Sequence, residues 1–185
     1  MIVERSTIIA GFGGQGILFA GKVLAEAGLL EGLEVLWIPS YGPEMRGGTA
    51  SCTVILADGL IGSPVVDRAD CAVVLNPPSL HRYEPLVAPG GLLVVNTTLI
   101  EAEPVRTDLE VLDVPCTAVA RRAGDDKLVS VVALGAMVGR RQTVARESVH
   151  RALAVILGER HASMIDADIA AFDAGYETGL KPVIA

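Results

Sequence analysis

Six residues, Gly11-Phe12-Gly13-Gly14-Gln15-Gly16, restrict this chain to a narrow range of folds. They follow an apolar run of β character, Thr7-Ile8-Ile9-Ala10, and open a helical stretch from Gln15 to about Leu30. A strand that turns through glycines into a helix is the opening unit of an α/β sheet. Glycine lets the backbone reverse tightly and approach a ligand, and the N–H groups at the helix start form an anion site. A phosphate-bearing ligand, or an acidic group on a partner, is the first expectation.

The rest of the chain extends this unit. Short apolar runs bounded by turn residues mark strands at Glu34–Ile38, Ala50–Ala57, Cys71–Leu75, Leu92–Val95 and Val111–Val114. Helical stretches lie at Ser79–Leu86 and Cys116–Arg122. The expected fold class is α/β: a three-layer, Rossmann-like, doubly wound and mostly parallel sheet, in a single domain over residues 1–185. One connection breaks the alternation. Pro39 to Thr49 is too short for a parallel crossover, so the third strand is expected to run antiparallel or to sit at an edge.

The C-terminal third is helical. Val129 to Val138 is apolar on almost every side, which marks a helix buried in the core or against a partner. Val149, Leu153 and Ile156 form a stripe on a helix from about Arg146 to Leu157. Ile169, Phe172 and Tyr176 repeat the spacing on a last helix that Asp166 could cap.

Gly11, Gly13 and Gly16 satisfy the dinucleotide pattern G-x-G-x-x-G, but its acidic partner is missing. Glu31 has the right distance yet precedes the second strand, and Glu44 lies well past it. A second loop, Ser40 to Thr49, brings Tyr41, Glu44 and Arg46 together, punctuated by Gly47 and Gly48. Arg46 can clamp a phosphate or carboxylate with two prongs; an internal Glu44–Arg46 pair that shapes the loop is the plainer alternative. Asn76, and Asn96 likewise, ends a strand at the same sheet edge and could donate to a ligand or bind its own turn.

Composition excludes several classes. A net charge of −7 with only 15 Lys plus Arg, and no basic stripe, argues against nucleic acid. No apolar run reaches membrane length, and no signal peptide is read at Met1 to Arg5. Cys52, Cys71 and Cys116 are isolated thiols, which suits a reducing cytoplasm and offers no cluster or metal spacing. His81, His150 and His161 show no nucleophile–base or metal spacing. No catalytic residue is assigned to this chain; the chemistry is expected from a cofactor on another.

The glycine turn and the loop Tyr41-Gly42-Pro43-Glu44-x-Arg46-Gly47-Gly48 resemble the gamma subunit of the 2-oxoacid:ferredoxin (acceptor) oxidoreductases. Ala69-Asp70 before a strand ending in Asn76, and Gly90-Gly91 leading into a strand, also fit. The resemblance covers nearly the whole chain and is strongest to the 2-oxoglutarate type. It implies a reaction in which a 2-oxoacid and coenzyme A give acyl-CoA and carbon dioxide while two electrons pass to ferredoxin. It further implies alpha and beta subunits that hold thiamine diphosphate and magnesium, and a ferredoxin-like delta subunit or domain with iron–sulfur clusters. Coenzyme A is the ligand expected here, at Gly11, Gly13, Gly14, Gln15, Gly16, Tyr41, Glu44, Arg46, Gly47, Gly48 and Asn76. Two alternatives stay open: a standalone NAD(P)- or flavin-binding oxidoreductase, and a non-catalytic architectural subunit.

Overall fold

The computed structural model describes residues 3–41, 48–158 and 162–182. Six strands form one sheet in the order β2-β3-β1-β4-β5-β6. They are β1 (Glu4–Phe12), β2 (Glu34–Tyr41), β3 (Thr49–Ala57), β4 (Ala69–Val74), β5 (Val87–Asn96) and β6 (Glu110–Val114). β1, β4, β5 and β6 run parallel. β3 is antiparallel to both neighbours, pairing Phe12 with Thr49 on one side and Tyr41 with Ala50 on the other. The short connection thus produces an antiparallel strand, and the edge position falls to β2. Pro39 sits comfortably there, because an edge strand can spare a ladder donor.

Helices cover the two sheet faces unequally. On one face lie α1 (Ile17–Leu30), α3 (Cys116–Ala123), α4 (Val129–Arg141), α5 (Arg146–Leu157) and α6 (Ala162–Leu180). Their core is built on Ile9, Val73, Leu75, Leu92, Val94 and Leu112 of the sheet. The opposite face, with Ile8, Ala72, Val74, Leu93 and Val95, is covered by the short α2 (Pro77–Tyr83) and by coil around Val66 and Ile100. Asn76 caps α2 by accepting from Ser79 N at 2.8 Å, and Pro77 fills the first helical position, so the helix starts earlier than its pattern alone suggests. The expected Ser79–Leu86 helix ends at Tyr83 and tightens into a 3-10 turn, Glu84–Leu86.

The apolar stretch Val129–Val138 is a core helix of this chain. Every residue from Val129 to Gly139 is buried, and α4 packs against β4, β5 and α6. Four glycines allow this. A Cβ on Gly135 would collide with the Phe172 carbonyl, and one on Gly139 with that of Tyr176. Reciprocally, Gly175 faces the Val132 carbonyl and Gly179 that of Ala136. Small residues four apart on both helices bring the two backbones into direct contact. The buried face of α6 is accordingly Asp168, Ala171, Phe172, Gly175 and Gly179, with Ile169 and Tyr176 at its flanks. Asp166 is exposed inside α6 and does not cap it.

Candidate ligand-binding site

The parallel strands end at one edge of the sheet, and β3 begins there. This gathers the ends of β1, β2, β4 and β5. Gly13 N donates to Gly48 O at 2.9 Å, so the glycine turn and the end of the second loop are joined directly. The side chain of Tyr41 and residues Gly42, Pro43, Glu44, Met45, Arg46 and Gly47 lie outside the described residues.

The turn is held by its own side chain. Gln15 folds back so that its Oε1 accepts from Phe12 N at 2.6 Å, and Gln15 N donates to Phe12 O at 3.1 Å. This draws Gln15 out of the expected helix, which starts at Ile17 with Gly16 before it in the left-handed region at φ 78°. Gly14, at φ 99°, is left-handed as well. Gly11 is needed for another reason: a Cβ there would stand 2.5 Å from Gln15 Oε1 and 2.7 Å from Ile17 Cδ1. Ser130 Oγ donates to Gly16 O at 3.0 Å and fixes the start of α4 against the turn.

Three of the turn's donors, Phe12 N, Gly13 N and Gln15 N, are therefore used internally. Further donors follow in the first turn of α1, Ile17 to Phe19. They precede the first helical bond, from Ala20 N to Gly16 O, and have no intrahelical acceptor. They border a cleft of about 580 Å³ between the turn, the start of α1 and the Gly48–Ala50 edge. An anionic group placed there meets a helix N-terminus.

The other sequence candidates have structural partners. Asn76 is wholly buried and caps α2, with its Nδ2 lacking a hydrogen-bond partner. Asn96 Nδ2 donates to Leu75 O and Thr117 Oγ1, at 3.3 and 3.0 Å, and its Oδ1 accepts from Thr117 N, stitching β4, β5 and α3 together. Glu31 Oε1 accepts from Ala145 N at 2.6 Å, so it braces the start of α5. His150 Nε2 lies 2.7 Å from Asp173 Oδ1, which also accepts from Arg146 Nε at 2.8 Å. Burial alone would raise the Asp173 carboxyl, but the hydrogen bonds and charges of Arg146 and His150 hold it below the usual range. His81 is exposed, and His161 lies outside the described residues.

All three thiols are buried. Burial pushes Cys52 up to about 11 and Cys71 to about 12, and raises Cys116 as well. Among the described residues no group of three or more His, Cys, Asp or Glu could hold a metal ion, and no helix is long and apolar enough to cross a membrane.

Sequence reasoning missed Asp168. It lies on the buried face of α6, only 3% exposed, and its Oδ2 has no hydrogen-bond partner. Burial, with the nearby charge of Asp125, raises its carboxyl to about 6. The available signal was its phase: Asp168 stands four and seven residues before Phe172 and Gly175, on the inward stripe.

A glycine turn at the carboxyl edge of a mostly parallel sheet, bonded through Gly13 to Gly48 before β3, marks an α/β fold of the Rossmann-like class. The gamma subunit of a keto/oxoacid ferredoxin oxidoreductase from Geobacter sulfurreducens superposes with a TM-score of 0.83 at 28% identity, over 95% of this chain and 98% of that one. A 2-oxoglutarate:ferredoxin oxidoreductase from Magnetococcus marinus, solved with 2-oxoglutarate, coenzyme A and succinyl-CoA bound, shares the fold. Its TM-score is 0.88 at 22% identity, over 98% of this chain and 32% of that one. By sequence, the chain is 31% identical to the 2-oxoglutarate synthase subunit KorC of Methanocaldococcus jannaschii, over 95% of this chain and 94% of the relative. It is 38% identical to the ketoisovalerate oxidoreductase subunit VorA of Methanothermobacter thermautotrophicus, over 91% of its own length and 35% of that protein's. It thus spans about a third of the VorA relative it matches. The pyruvate ferredoxin/flavodoxin oxidoreductase family model matches residues 6–178, and the chain belongs to that family.

Proposed function

We propose that this chain is the gamma subunit of a thiamine-diphosphate-dependent, ferredoxin-linked 2-oxoacid oxidoreductase of the cytoplasm, and that it helps to bind coenzyme A or to close the shared active site. In the overall reaction the bond from the oxo carbon to the carboxylate breaks and carbon dioxide leaves. Two electrons pass to ferredoxin, the coenzyme A sulfur bonds to the oxo carbon, and its thiol proton is released. Thiamine diphosphate, magnesium and the iron–sulfur clusters belong to the alpha, beta and delta partners.

One observation carries the reading: the Gly13–Gly48 hydrogen bond joins the glycine turn to the segment that enters β3, next to the 580 Å³ cleft and the open helix start. Phosphates of coenzyme A would take the donors of Ile17 to Phe19 and a two-pronged contact from Arg46. The test replaces Gly13 and Arg46, separately, and measures the apparent affinity for coenzyme A in the assembled enzyme. Weakening of tenfold or more is expected for Arg46→Ala. Unchanged affinity with intact assembly would count against coenzyme binding.

A second reading is favoured by the internal use of Phe12 N and Gly13 N. On it, the turn is architectural and the loop buttresses the partner subunits. The same variants would then lower the yield of assembled enzyme and leave the coenzyme affinity of the remainder unchanged.

A further inference from the structure

The amino ends of the parallel strands, at the other end of β1 from the glycine turn, border a second cleft of about 320 Å³. This volume falls in the range of small-molecule pockets. Asp70 and the pair Gly90-Gly91 meet there, and the glycine-turn cleft uses none of them. The two glycines shape one wall. Gly90 is left-handed at φ 73°, and a Cβ on Gly91 would stand 2.6 Å from Val87 Cγ1 and 2.9 Å from Asp70 O. Arg141, at the end of α4, reaches over this wall. Its Nη2 donates to Gly90 O at 3.1 Å and lies 3.2 Å from Glu110 Oε2, so the guanidinium is held at the rim.

The floor is Thr7, which stands opposite Cys71 in the β1–β4 ladder. Burial raises the Cys71 thiol and the charge of Arg141 partly offsets this, which puts the guanidinium within reach of the floor. Thr7 is only 3% exposed, and its hydroxyl makes no hydrogen bond among the described residues. Thr143, 8% exposed, lines the same cleft, and its hydroxyl has a long contact to Met137 Sδ at 3.9 Å. Buried hydroxyls without good partners are costly, and Val fills nearly the same space without that cost. Two such hydroxyls on one cleft need a partner from outside.

The charged groups show what kind of partner. Asp70 Oδ2 accepts from Ser6 N at 2.7 Å and from Ser6 Oγ at 2.9 Å, and Glu4 Oε1 accepts from Gly62 N at 3.0 Å, so both acids are engaged. Arg5 shares a face of β1 with Thr7, and its guanidinium has no ion pair or hydrogen bond among the described residues. A carboxylate answers these donors: a guanidinium binds its two oxygens in parallel, and each oxygen has a lone pair left for a hydroxyl. A doubly charged phosphate suits the cleft less. The two acids of the lining offset the two arginines, and the C-terminus of α4 adds the negative end of its dipole. We propose that this amino-edge cleft binds a small carboxylate, with Arg5 and Arg141 as its cations and the hydroxyls of Thr7 and Thr143 as its neutral donors.

The test titrates the full chain at constant ionic strength with acetate, succinate and inorganic phosphate, and follows the methyl signals of Thr7 and Thr143 by NMR. The expected result is a saturable shift of both methyls with acetate or succinate at millimolar concentration, at least fivefold tighter than with phosphate. Thr7→Val removes one hydroxyl and keeps the shape, and should weaken carboxylate binding at least fivefold. Arg5→Ala should weaken it at least tenfold, with Arg5→Lys between Ala and the parent. Should phosphate bind as tightly as the carboxylates, the carboxylate assignment falls. Should neither carboxylate shift the two methyls saturably, the site itself falls, and this arm needs no variant. Should Thr7→Val and Arg5→Ala both bind like the parent, the roles given to these residues fall with it.

Discussion

Replacement of Gly135 by Ala tests how α4 is held in the core. The added methyl would meet the Phe172 carbonyl oxygen far inside the 3.0 Å that Cβ contacts keep. The obstacle is backbone, so no rotamer change relieves it. The two helices must part by about 1 Å along a contact packed as densely as an organic crystal. Overpacking of this kind costs about 3 kcal/mol, at the upper end of its usual range because the wall is rigid. Ala returns about 1 kcal/mol through its better helix propensity. The net expectation is destabilisation of about 2 kcal/mol, which for a chain of this size lowers Tm by about 4–8 °C. Circular dichroism melts read the shift directly. Gly62→Ala serves as control, because the only neighbour of a Cβ there is Glu4 Oε1 at 3.8 Å. The double variant of Gly135 and Gly175 should lose less than the two single losses combined, since helices already parted admit the second methyl cheaply. A Gly135→Ala protein that melts at or above the parent temperature would refute this account of the crossing.

Two further outcomes follow from buried titratable groups. A carboxyl whose folded pKa is raised loses stability as pH rises through the interval between its unfolded and folded values. Moving Asp168 from 3.8 to about 6 corresponds to about 3 kcal/mol. The stability of the parent relative to Asp168→Asn should therefore fall by about 2 kcal/mol between pH 4 and pH 7.5, as measured by urea midpoints; a difference independent of pH would contradict the buried, unpaired assignment. Cys52, Cys71 and Cys116 should all resist a thiol reagent at pH 8 in the native protein and react together after denaturation, because burial keeps each protonated; rapid labelling of any one would contradict its placement.

The strands were legible because apolar runs such as Cys71–Leu75 and Leu92–Val95 are buried on both faces and leave no alternation to misread. The antiparallel β3 followed from the length of one loop. The nature of α4 was not legible, since an all-apolar helix reads the same in a core and at an interface; the discriminating information lay in Gly175 and Gly179, some forty residues further along the chain. At the site, the sequence identified the turn but not its internal use, because the fold of Gln15 onto Phe12 N depends on the space that Gly11 leaves. Asp168 was hidden for a related reason. Its inward phase shows in the pattern, whereas its lack of a partner is a property of three elements packed together.

β1 is paired on both sides in the middle of the sheet. It is laced to β3 from Glu4 to Phe12 and to β4 from Thr7 to Ala10. The glycine turn hangs from that strand, so it behaves as a fixed jaw: it cannot swing without tearing the middle of the sheet. Any movement of the turn must carry the whole sheet with it, and isotope exchange at the amides of Ile8 to Ala10 should be as slow with ligand as without.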